Sequence, residues 1–428
     1  MAIQDSQETI IPLIDTSETQ TQTKPDDDSH LDHTLYRFET FLRLFGFCQY
    51  SFWSFSLSWL AFLIVGVALP VLLNEITHCA NCEKYQIKSF ELEIVVCESL
   101  VAAISLLCIA HNLRKYGVRR FLFVDRYHGN MTQFRDEYIQ KINGFFRLLA
   151  VWLLPCFLFK TAREIIRVSY VHRDSWWKSV AVLLAFLISW MYSNIIFLSG
   201  SCVFHLVCNL QVIHFDNYGK LLEMDLEVSA YIEEHIRLTH YISKISHRFR
   251  VYLLLELLVV TASQFVALLD TTGNSRIINL INGGDFVVSS IVELVGIIIC
   301  LQAAAKISHR AQGLASVTSR WHALVTCSSS DATENLESSH PAGSLPISYS
   351  ETDLEPIDYV PVPTNTQLAS YMSLYHKREA FVTYMQSNTG GATIYGWRID
   401  QALINTIFFV ELSLILFVLG KTITISTK

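Results

Sequence analysis

Phe52-Trp-Ser-Phe-Ser-Leu-Ser-Trp-Leu-Ala-Phe-Leu-Ile-Val-Gly-Val-Ala-Leu-Pro-Val-Leu-Leu73 runs for 22 residues without a charged side chain. About 20 apolar residues in a helix cross a hydrocarbon layer of about 30 Å, and only a helix or a closed barrel crosses it with its backbone polar groups satisfied. Six more such runs follow, at Phe90 to His111, Phe145 to Ile166, Ser179 to Val207, Val251 to Leu269, Phe286 to Ala305 and Ala402 to Ile423. The chain therefore reads as an all-α polytopic membrane protein of seven transmembrane helices. Its 428 residues, 51% of them hydrophobic, fit that class, as does a mean hydropathy of +0.33.

The cations set the expected orientation. With each Lys and Arg assigned to the nearest connection, alternate connections starting from the N-terminal tail hold 22 of the 32, and the others hold 10. The excess belongs in the cytosol, which places the N-terminus inside and the C-terminus outside. That orientation is opposite to a G-protein-coupled receptor. The Arg114 to Arg147 cluster outweighs Lys160, Arg163, Arg167, Arg173 and Lys178, which flank an expected outer connection.

The polar segments divide the rest. Residues 1–46 read as a disordered cytosolic tail with no cleaved signal peptide. Residues 47–320 form a six-helix membrane bundle whose cytosolic extension, 209–250, is helical, with Val228, Ile232 and Ile236 on one face. That face either packs on other cytosolic helices or belongs to a solvated hairpin. Residues 321–366, rich in Ser, Pro and acidic groups, read as a disordered insertion. In 367–428 an anchor helix carrying Leu368, Tyr371, Met372, Tyr375 and Val382 on one side precedes the last span. The net charge of −7 resides mainly in the tail and insertion and does not describe a nucleic-acid surface.

Charged groups at membrane depth cost at least about 2.5 kcal/mol and need a partner, a wet cavity or neutralisation. Glu91, Glu93 and Glu98 lie in the second span, Glu256 in the fifth, Glu293 in the sixth and Glu411 in the seventh. Glu91 and Glu98, seven apart, share a face, and Lys160 and Arg163 are candidate partners. Two readings stand, structural ion pairs between helices or a ligand or cation site. In the last span Ala402, Asn405, Thr406, Phe409, Ser413, Leu416, Phe417, Gly420 and Thr424 fall on one stripe, with Glu411 pointing the other way. Such a stripe either packs closely on a neighbour or lines water between symmetric copies. Cys79 and Cys82 share a short outer connection and form either a local disulfide or two free thiols, too few ligands for a zinc site. No nucleotide, metalloprotease or nucleophile-elbow motif is present, so nothing supports an enzyme, a cofactor or a metal.

Gly391-Ala-Thr-Ile-Tyr-Gly396-Trp-Arg-Ile-Asp400, followed by Phe408-Phe-Val-Glu411 and Val418-Leu-Gly-Lys-Thr422, resembles the C-terminal signature of the plant gustatory-receptor-like proteins, domain of unknown function 3537. Those proteins are distantly similar to the insect gustatory and odorant receptors. The resemblance implies an insect-chemoreceptor-like bundle assembled as a homotetrameric, ligand-gated cation channel in a plasma membrane or endomembrane, with the last helices lining one pore. It assigns the stripe above to the pore and places an unknown small-molecule ligand among Glu91, Glu98, Trp176, Trp177, Tyr192 and Glu293. Partners would be further copies, lipid and that ligand, with no nucleic acid. The alternatives are a secondary transporter coupled through the buried carboxylates and a non-conducting scaffold or receptor.

Overall fold

The computed structural model describes residues 26–77, 88–170, 176–222, 227–273, 280–337 and 374–426. Eleven helices and one hairpin are found there: α1 Asp26–Leu44; α2 Phe52–Ala61, continued through a π-helical stretch Phe62–Ala68 into α3 Leu69–Thr77; α4 Lys88–Tyr116; α5 Val118–Leu122; α6 Arg135–Tyr170; α7 Trp176–Leu221; α8 Val228–Gly273; α9 Leu280–Glu337; α10 Leu374–Ser387; β1 Thr393–Ile394; β2 Trp397–Arg398; and α11 Gln401–Ser426. Six helical segments, from Phe52–Ile76 to Gly284–Thr326, are long and apolar enough to cross a membrane, and Gln401–Phe417 is a shorter apolar helix. The chain is thus a helical integral membrane protein.

Several helices overrun the expected spans. At about 1.5 Å per residue, the 58 residues of α9 are far longer than a bilayer is thick. Towards its C-terminal end, α9 packs with α8 and α10, continuing the hydrophobic core of the bundle. Tyr231 of α8 stacks on Phe381 of α10 with ring centroids 5.8 Å apart, and Trp321 of α9 meets Phe381 edge-on at 6.2 Å. This part of the molecule is called here the anchor end.

Four expectations about the polar segments are corrected. The tail is helical from Asp26, because Leu31, Leu35, Phe38 and Leu42, spaced four, three and four apart, are all buried. Phe38 and Phe41 pack on Phe145 and Phe146 of α6, with closest centroids of 5.0 and 5.5 Å. The insertion begins later than residue 321, since α9 continues to Glu337; residues 338–373, with Leu368, Tyr371 and Met372, lie outside the described residues. On α8, Ile236 is exposed, and the buried face is Tyr231, His235, Leu238 and Ile242. On α10 the buried residues are Phe381 and Met385, while Tyr375 is exposed.

The hairpin between α10 and α11 has Tyr395 and Gly396 at φ 48° and 88°. Two consecutive positive φ values are the signature of a type I′ turn, whose twist matches antiparallel strands. Serines from two helices hold the hairpin: Ala392 N donates to Ser308 Oγ of α9 (2.9 Å) and Thr393 N to Ser246 Oγ of α8 (3.2 Å). Asp400 Oδ1 then caps α11 by accepting Leu403 N at 2.8 Å.

Close approach of α7 and α9 is permitted by Gly296. A Cβ there would lie 2.8 Å from Phe197 Cε1, inside van der Waals contact. Gly296→Ala is expected to destabilise the bundle by about 1–3 kcal/mol, as overpacking does. A second change, Phe197→Leu, should recover most of that loss. Thermal unfolding of the two variants in detergent, followed by size-exclusion fluorescence, checks this; no recovery in the double variant would place the strain elsewhere.

Candidate functional site

Pro70 begins the construction of the site. Lacking an N–H, it cannot bond the Gly66 carbonyl four residues back. The helix widens instead, with Leu69 N donating to Ile64 O five residues away. Two freed carbonyls are satisfied from neighbouring helices: Ser99 Oγ of α4 donates to Gly66 O (3.0 Å), and Ser189 Oγ of α7 donates to Val65 O (2.6 Å). Proline in a membrane helix is tolerated through repairs of this kind.

Beside this bulge lies a cavity of about 30 Å³ among Gly66, Pro70, Glu91, Glu98, Lys160, Glu164, Arg167, Phe186, Trp190 and Asp285, among others. Lys160, Arg163, Glu164 and Arg167 recur at three, four and seven residues along α6 and so share one face. They meet Glu91 from α4 and Asp285 from α9. Arg167 Nη2 donates to Glu91 Oε2 at 3.1 Å and Arg163 Nη2 to Glu91 Oε1 at 3.4 Å. Arg163 Nη1 reaches Glu164 Oε1 at 2.5 Å, and Lys160 Nζ donates to Asp285 Oδ1. Three cations and three carboxylates balance, with all six side chains buried to 8% exposure or less. We call this pole of the bundle the ionic end.

Aromatic rings cover the cations. Lys160 Nζ sits 5.9 Å from the Trp190 ring and the Arg167 guanidinium 5.1 Å from Phe186, distances at which a cation is drawn to a ring face. Glu98 is the surplus carboxylate: Trp190 Nε1 donates to its Oε1 at 3.1 Å, and Ser289 also hydrogen-bonds to it.

Ser289 also lines a second cavity, of about 20 Å³, with Glu93, Cys97, Ser263, Ser290 and Glu293. Glu293 Oε2 accepts from Ser263 Oγ (2.9 Å) and Gln264 Nε2 (3.4 Å), and Ser290 Oγ donates to Gln264 Oε1 (3.2 Å). One turn away on α8, Thr261 Oγ1 donates to Glu411 Oε1 of α11 at 2.5 Å. Polar contacts therefore extend from the ionic cavity through α9 and α8 to the last helix. Glu256 stands apart, deep between α7, α8 and α9, accepting from Ser201 Oγ (3.1 Å) and Cys300 Sγ (3.5 Å).

Of the six expected pocket residues, Glu91 and Glu98 line the first cavity and Glu293 the second. The other three do not join them. Trp176 and Trp177 meet edge-to-face at 5.1 Å and are 70% and 75% exposed, and Tyr192 is half-buried against Phe45. Glu164, Asp285 and Trp190 were not singled out from sequence. The spacing of Lys160, Arg163, Glu164 and Arg167 along α6 is the sequence signal that adds Glu164 and Arg167 to the expected partners Lys160 and Arg163. Cys79 and Cys82 lie outside the described residues.

On α11 the stripe is the open face. Asn405, Thr406, Phe409, Ser413, Leu416, Phe417 and Gly420 are exposed, whereas Ile404, Glu411 and Ile415 are buried against α8 and α9. Thr406 and Ser413 hydroxyls bond the carbonyls of Ala402 and Phe409 in their own helix, and Gln401 Nε2 donates to Asn405 Oδ1 at 3.4 Å. The helix extends past Thr424, whose side chain lies outside the described set.

No curated protein sequence matches the chain. Among solved structures, the insect olfactory receptor OR5 from Machilis hrabei, determined in complex with eugenol, is similar with a TM-score of 0.53 over 92% of this chain and 100% of that one, at 11% identity. At that identity the likeness is one of fold. The family described as "Protein of unknown function (DUF3537)" matches residues 33–410, and the chain therefore belongs to it.

Proposed function

We propose that this protein is a homotetrameric, ligand-gated cation channel, with its N-terminus and anchor end in the cytosol, whose α11 helices surround one pore. The observation that carries this reading is the open polar stripe of α11. Asn405, Thr406 and Ser413 stand exposed on an apolar helix whose buried side is already packed. Polar groups in membrane helices face partners or water, and copies related by a shared axis supply both. The olfactory receptor's fold is consistent with this arrangement, and its eugenol complex is a precedent for a small-molecule ligand in such a bundle.

The ionic cavity is the proposed ligand entry. At about 30 Å³ it has room for one water, whereas ligand pockets usually span about 300–1,000 Å³. A small molecule enters only when the pairs around Glu91 and Asp285 part, so occupancy selects a rearranged bundle. The paired state of Lys160, Arg163 and Arg167 also removes the main counterweight to the cation distribution, which supports a cytosolic N-terminus. No step in this reading calls for catalysis or a cofactor.

The mass of the full chain in lipid nanodiscs tests the assembly, with four copies per particle as the expected result. A single copy across several lipid compositions removes the shared pore. It would favour a transporter using Glu98 and Glu293, both hydrogen-bonded inside the bundle.

A further inference from the structure

A groove of about 560 Å³ at the anchor end lies between α1 and α6, lined by His30, Arg135, Asp136, Gln140, Asn143 and Arg147 with Ile139 and Gly144. Its size is that of a ligand site, while the cavities at the ionic end hold little more than a water. Among the described residues that line it, two guanidiniums, one imidazole and two side-chain amides stand beside one carboxylate, Asp136. Planar guanidiniums pair with phosphate oxygens through two parallel hydrogen bonds.

The placement of Arg147 gives the ligand its second property. Arg147 is exposed. Val151, Leu154 and Leu158, four, seven and eleven residues on, share its face of α6 and are 57%, 62% and 60% exposed. The cationic groove thus runs directly into a lipid-facing apolar stripe on the same helix. A ligand matching both would have a phosphorylated head and an apolar tail.

Arg135 and Arg147 are twelve residues apart, so their backbones are separated by about 18 Å along the helix axis. One phosphate cannot meet both. We propose that this groove binds the headgroup of a polyphosphorylated lipid, of the phosphoinositide class, with its phosphodiester at Arg147 and its ring phosphates towards Arg135 and His30. Acyl chains then lie along Val151, Leu154 and Leu158. Because α11 packs on α8 and α9, and the groove is built by α1 and α6, this site does not depend on the pore.

The test is native mass spectrometry of the purified full chain with phosphatidylinositol 4,5-bisphosphate, phosphatidylserine or phosphatidylinositol, each alone and with excess soluble inositol trisphosphate. The bisphosphate lipid is expected to bind at least about tenfold more tightly than phosphatidylserine, since each further phosphate adds charge-assisted bonds. The variant Arg135→Gln/Arg147→Gln should lose that advantage, the exposed single variant Arg147→Gln should lose part of it, and Arg114→Gln/Arg120→Gln, at the same end but outside the groove, should keep it. Equal binding of phosphatidylserine, equal loss in the Arg114/Arg120 variant, or no loss in either groove variant would overturn the site. Full displacement already when soluble inositol trisphosphate is titrated only to the lipid's own concentration, before the excess is reached, would assign it to a soluble phosphate and overturn the lipid.

Discussion

Asp285→Ala should be among the most damaging single substitutions in this protein, lowering its stability by about 3–5 kcal/mol. The change removes the direct partner of Lys160 and a neighbour, at 3.8 Å, of Arg163, where all three side chains are buried. A network of three cations and three anions becomes one with an excess buried cation. The penalty is chiefly that of the uncompensated charge, not the worth of the lost bond, and this distinction is measurable. Lys160→Met/Asp285→Leu removes both charges while filling similar volume, so it should be far closer to the wild type than Asp285→Ala. Thermal unfolding in detergent, read by size-exclusion fluorescence, separates the cases. If Asp285→Ala unfolds at the wild-type temperature, the network contributes nothing to the resting bundle, and Asp285 is free to serve ligand binding alone.

Gly420→Trp is the second large effect, on flux and not on folding. Nothing lies within 4 Å of the position a Cβ would take at Gly420, and the residue sits on the exposed stripe. An indole is therefore accommodated within one subunit. Around a shared axis, four indoles would close the lumen. For the proposed tetramer, the residual cation leak of liposomes carrying wild-type protein should be abolished in the variant, while a mass of four copies in nanodiscs is retained. A leak of undiminished size in a tetrameric variant would remove α11 from the conducting path, and loss of the tetramer would make Gly420 a packing residue instead.

The first prediction probes one end of a series of polar pairs, and the second the helix on which that series ends. Three polar pairs, Glu98 with Ser289, Glu293 with Gln264 and Thr261 with Glu411, link α4 to α9, α9 to α8 and α8 to α11. Charged and hydroxyl groups inside a bundle hold helices in a fixed register only while every partner is present. The proposed opening of the ionic cavity would move α9, one of the helices that α11 packs on.

The sequence by itself determined the membrane class, six of the helices, the polar stripe of the last one and the presence of carboxylates at depth. Those properties are local: hydropathy over a span and angular position on a helix follow from the order of residues alone. It did not determine which carboxylate meets which cation. Glu91, Arg163 and Asp285 come from three helices separated by long stretches of chain, and only packing brings the two carboxylates to the guanidinium. Nor did it place Trp176, Trp177 and Tyr192, whose aromatic character suits a pocket or a lipid-facing surface equally well. The helical tail was legible in the spacing of Leu31, Leu35, Phe38 and Leu42 but was outweighed by the polar composition around it. What made it fold was the aromatic face of α6, Phe145 and Phe146, supplied from more than a hundred residues away. Tertiary structure alone decided these points, because burial and charge pairing are properties of neighbours in space.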